Sequence, residues 1–89
     1  MWYVDKRLHQ KIHEKIEDAL ANIQEVHDLA ISLDSSSNHF KYGIIIGRLY
    51  NSFYYQSRRI LKRDPTKIEF SEFLEILSKR QAEILKKLS

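Results

Sequence analysis

Seven apolar residues in the first third of the chain, Ile12, Ile16, Ala19, Ile23, Val26, Ala30 and Leu33, recur at alternating intervals of four and three. That period keeps side chains on one side of an α-helix and scatters them over both faces of a strand, so it requires a helix with a seam for other helices. Leu8 extends the seam by one more interval of four, and no Pro or Gly interrupts residues 1–32. A single first helix of about 30 residues, roughly 45 Å long, is therefore expected. Phe70, Leu74, Leu77, Gln81, Ile84 and Leu88 repeat the spacing near the other end with one polar break. With two Gly and one Pro in 89 residues, turn-rich β architectures are excluded.

The helix limits are marked by residues that satisfy free backbone groups. The polar cluster Asp34-Ser35-Ser36-Ser37-Asn38 stops the first helix, and Ser37 or Asn38 is placed to cap the second. Pro65 disfavours helical geometry at Asp64, so the second helix ends near Arg63. Thr66 with Glu69 three residues on forms a capping box that opens the third. Short connections make neighbouring helices antiparallel. The expected fold is all-α, an up-down-up three-helix bundle with a long first helix, as one domain spanning residues 1–89.

The middle helix, residues 40–63, carries more than a core requires. One apolar stripe consists of Tyr42, Ile46, Leu49, Phe53 and Ile60; a second, on the other side, of Phe40, Ile44, Gly47, Tyr54, Tyr55 and Leu61. A bundle helix needs about one such stripe, so the second implies a partner. Gly43 and Gly47 form a small-xxx-small pair that lets two helices approach closely. Each costs about 1 kcal/mol inside a helix relative to alanine, so close packing should compensate, within the chain or across a dimer axis. The expected interface is Phe40, Gly43, Ile44, Gly47, Tyr54 and Tyr55, and the expected partner is a second copy of the chain, or another protein.

Charge singles out the same helix. Residues 1–33 carry −2, residues 34–63 carry +5 and residues 64–89 are neutral. Lys41, Arg48, Tyr55 and Lys62 fall at intervals of seven on one face, flanked by Arg59 and Arg63. Guanidinium groups contact phosphates and tyrosines stack on bases, so this set defines an alternative, RNA or single-stranded DNA binding. The competing reading is intramolecular. In antiparallel hairpins Arg48 comes level with Glu25, Arg58 or Arg59 with Glu14, and Glu69 and Glu72 with the same arginines, which favours pairing within the bundle.

No catalytic function is expected. The chain lacks cysteine, Gly-rich phosphate loops, G-x-S-x-G and H-E-x-x-H. His9 and His13 have metal-capable spacing beside the apolar seam, yet no third ligand of fixed position accompanies them, so no metal or cofactor is assigned. The opening MWYVDKRLHQK has no secretory pattern, and no apolar run nears the ~20 residues of a membrane helix. A cytoplasmic protein is expected.

Two phrases resemble known families. Residues 47–61, GRLYNSFYYQSRRIL, resemble the second-helix signature of HEPN domains, in which an Arg and a Tyr precede a catalytic His. Arg48, Tyr50, Tyr54, Arg58, Ile60 and Leu61 carry the likeness. Tyr55 stands where the His is expected, so the ribonuclease activity implied by the resemblance lacks its histidine, and a degenerate HEPN-like domain retaining RNA binding is what it implies. Residues 63–70, RDPTKIEF, are similar to the helix-opening phrase of sigma-factor helix-turn-helix segments, and their physical content is the capping box.

Overall fold

The structure, a computed structural model, describes residues 5–33 and 37–88. It is all-α, with four helices among these residues: α1 (Lys6–Ala21), α2 (Ile23–Ser32), α3 (Asn38–Leu61) and α4 (Lys67–Leu88). The expected first helix is thus divided, and the cause is Asn22. Its side-chain amide donates to the Asp18 carbonyl at 2.8 Å, while its own N–H bonds Asp18 and Ala19. This local bonding competes with the helical ladder and sets Asn22 at φ −108° and ψ 29°. The apolar seam passes through the break, with Ala19 and Val26 both buried.

The anticipated caps are present. Ser37 Oγ accepts from the Phe40 N–H at 3.1 Å, opening α3. A further cap, not anticipated from the sequence, is Asp5, which accepts from the Arg7 N–H at 2.8 Å and opens α1. At α4 the capping box closes both ways, Thr66 N–H to Glu69 Oε1 at 2.8 Å and Glu69 N–H to Thr66 Oγ1 at 3.2 Å. The segment 34–36 of the Ser-rich loop lies outside the described residues.

Cross-helix pairs fix the directions. Arg48 on α3 meets Glu25 on α2, and Phe53 on α3 stacks on Phe73 of α4 with centroids 4.4 Å apart and planes 5° from parallel. His9 lies 4.0 Å from Glu72, and Arg80 bonds Glu17. These last two pairs share one offset, so α1 and α4 run side by side in the same sense. By that offset α4 ends about level with Glu25, leaving most of α2 and the start of α3 as a two-helix tip. Leu29, Ile31 and Leu33 on that tip are 44%, 69% and 59% exposed. Leu33 was expected in the seam and sits beyond the end of α4, 59% exposed.

The core centres on Leu8, Ile16, Ile45 and Ile84, each fully buried, a state worth about 2 kcal/mol per side chain. Its phase differs from the sequence expectation on two helices. On α3 the buried row is Ile45, Leu49, Phe53, Gln56 and Ser57, with Tyr42, Ile46 and Ile60 only partly covered. Ser57 tolerates burial because its hydroxyl donates to the Arg63 carbonyl at 2.9 Å. On α4 the row is Phe73, Ile76, Leu77, Ile84 and Leu88, and Leu74 turns outward, 48% exposed.

Candidate interaction surface on helix α3

Turning Ile45, Leu49 and Phe53 inward points Phe40, Gly43, Ile44, Gly47, Tyr50, Asn51 and Tyr54 outward along α3. Gly43, Gly47, Tyr50 and Asn51 are exposed; Phe40, Ile44 and Tyr54 are half-buried. An ideal Cβ built at Gly43 or at Gly47 meets nothing within 4 Å. The two glycines therefore do not serve packing within the chain, the first of the two roles the sequence left open. Phe40 to Tyr54 covers about 21 Å of helix, and none of the seven outward residues carries a formal charge.

Aromatic rings fix one edge of this surface. Tyr50 lies 5.1 Å from Tyr54 and meets Phe70 of α4 edge-on at 6.2 Å. Arg58 sits over the Tyr54 ring at 5.7 Å and donates from Nε to Asp64 at 2.5 Å, so its charge is already balanced at that end. Phe70 and Leu74, one turn apart on α4, extend the apolar ground beside Tyr50. On the other edge Val26, Leu29 and Ile44 line a cleft between α2 and α3 closed by the Glu25–Arg48 pair. Of the expected interface residues, Tyr55 stands apart, 61% exposed and rotated towards the α1 side of α3.

The basic set divides. Arg48 pairs with Glu25 at 2.9 Å, as the intramolecular reading expects. Arg63 makes a two-point contact with Glu69 at 2.7 and 3.0 Å, which takes it out of the stripe and onto the cap of α4. Glu69 is buried, and the Arg63 guanidinium, aided by the Thr66 N–H, holds its carboxyl below the ordinary range. Arg59 does not reach Glu14; it donates to Gln56 at 3.1 Å, while Glu14 binds Lys11. Lys62 caps α3 in the left-handed region at φ 62°, and Lys41 is half-buried near the start of the helix.

Two further inter-helix groups form, one around Arg80 without a sequence signal and one at Glu72, which was expected beside an arginine. Arg80 bridges α4 to Glu17 on α1, to Glu83, and approaches His13 Nδ1 at 3.4 Å. Burial, then His9 and Arg80, push the His13 imidazole below its usual range. Glu72 is buried with neither carboxylate oxygen hydrogen-bonded among the described residues, His9 being 4.0 Å away. Neither arises from a motif; both follow from the helix register. Among the described residues no three His, Cys, Asp or Glu side chains converge as a metal site, and no helix is long and apolar enough to cross a membrane. Comparison with known protein families, curated proteins and solved structures finds no match to this chain.

Proposed function

We propose that the chain is a small helical interaction module, binding rather than catalytic, that pairs with a second copy of itself by crossing α3 on α3 at Gly43 and Gly47. One observation carries this reading. Both glycines face open space, so their cost of about 1 kcal/mol each goes uncompensated inside the chain. A bare helix face of this kind suits a second backbone at short range, since interaxial distance is set by the side chains at the crossing. The uncharged stripe around them favours a copy of itself, because it offers no counter-charge to an acidic or basic partner. Phe40, Ile44 and Tyr54 surround the crossing, and Tyr50, Phe70 and Leu74 join them.

In this reading α1 and α2 act as one arm broken at Asn22, giving an up-down-up bundle of three arms, and the lack of cysteine suits a reducing cytoplasm. Light scattering at micromolar concentration tests the pairing. The expected mass is about twice 10.7 kDa, and Gly47→Leu should return it towards that of one chain by holding the backbones apart. A wild-type monomer at every accessible concentration would overturn the proposal.

A further inference from the structure

On the α1 side of α3, away from the two glycines, an open groove of about 510 Å³ runs between the first turns of α1 and the last turn of α3. Four cations line it, Arg7, Lys11, Arg59 and Lys62, against one acid, Glu14. Arg7 is shared with Asp5 and Lys11 with Glu14, each at 3.1 Å. The Lys11 pair is a single surface contact of the weak kind, which a phosphate can enter, whereas Arg7 holds Asp5 at two points and adds only its remaining field. The other two cations bring uncompensated charge. Arg59 is oriented by the neutral, buried Gln56, which fixes the guanidinium without neutralising it. Lys62 has no carboxylate partner among the described residues. It also occupies a left-handed cap position where glycine is favoured, so a glycine can replace it without backbone strain.

Tyr55 lies one turn before Arg59 on the same side of α3, with its ring largely in solvent. A row of cations with an open aromatic beside it matches an extended phosphodiester chain carrying bases: charge for the backbone, a flat ring for stacking. We infer that this groove binds single-stranded nucleic acid, with Arg59 and Lys62 contacting phosphates and Tyr55 serving as a base platform. The site differs from the stripe read in the sequence. It recruits Arg7 and Lys11 from α1, and it excludes Arg63, which is held by Glu69.

Fluorescence anisotropy of a labelled twelve-nucleotide uridine RNA, titrated with the full chain at rising salt, tests it. Saturable binding is expected at low salt, with a steep log–log decline as salt rises. Arg59→Gln and Lys62→Gly should each reduce that slope by about 0.7, the value for one phosphate contact on a single strand. Lys62→Gly should do so with an unchanged or higher melting temperature, because glycine suits the left-handed cap; loss of binding then cannot be misfolding. Three results would overturn the inference: no binding at low salt, variants that bind like the wild type, or equal competition by polyglutamate, which would show bare charge attraction without phosphate or base recognition.

Discussion

Replacing both open glycines, Gly43→Ala and Gly47→Ala, has opposite consequences for the monomer and for the pair. In the monomer a methyl at either position meets nothing within 4 Å, so no steric penalty offsets the gain in helix propensity. That gain is about 0.8–1.0 kcal/mol per site, or about 2 kcal/mol for the two. For a domain of this size 1 kcal/mol moves the melting temperature by about 4–8 °C, so the double variant should melt about 8–16 °C higher when dilute. In the pair the two methyls lie at the crossing and separate the backbones, so association should weaken. The wild type should therefore gain melting temperature with concentration by mass action, and the double variant should gain less. Circular dichroism melts over a hundredfold range of concentration read both effects. A double variant that melts at or below the wild type when dilute would show that the glycines pack inside the folded chain rather than against a second copy.

Other perturbations test separate parts of the structure. Glu72→Leu removes a buried carboxylate whose oxygens lack hydrogen bonds among the described residues and face His9 at 4.0 Å; stability should rise by about 1–3 kcal/mol in urea titration, and a fall would show that the His9 contact outweighs the cost of burial. Glu69→Ala deletes the reciprocal half of the α4 capping box and should cost about 1–2 kcal/mol. Because Glu69 is held below its ordinary 4.5 by Arg63, its contribution is full above that value and is lost as pH falls through the lower, folded one. His13 acts at higher pH: its folded imidazole is held below 6.5, so the unfolded chain takes up the proton first and stability declines as pH falls below 6.5. His13→Gln should flatten the melting temperature over that range, and an unchanged slope would remove His13 from the cause.

The sequence was most legible where local chemistry acts alone. Ser37, Thr66 and Glu69 mark their helix starts because a cap needs only residues within one turn. The α1 seam was legible because its polar and apolar sides are distinct. On α3 both sides are apolar, so periodicity could not choose between Ile46 and Ile45 as the centre of the core; the stacking of Phe53 on Phe73 of α4 sets the phase that buries Ile45. The same ambiguity placed Leu74 inside and left Tyr50 out of the interface. Counting from the Ser-rich turn was enough to match Arg48 with Glu25. It failed for Arg59 and Glu14, since Gln56 and Lys11 are nearer partners on their own helices. Asn22 was invisible as a break because its amide-to-Asp18 bond competes with an otherwise favourable helix.

The chain has no cysteine, so a single introduced thiol reports which faces of two copies meet. Asn51 is exposed on the outer face of α3, one turn from Gly47, and Ala82 is exposed on the far side of α4. Under mild oxidation at micromolar concentration, self-pairing through α3 requires that Asn51→Cys form a covalent dimer quickly while Ala82→Cys remains largely monomeric. Equal or faster cross-linking at Ala82→Cys, or none at Asn51→Cys, would contradict the pairing of α3 on α3.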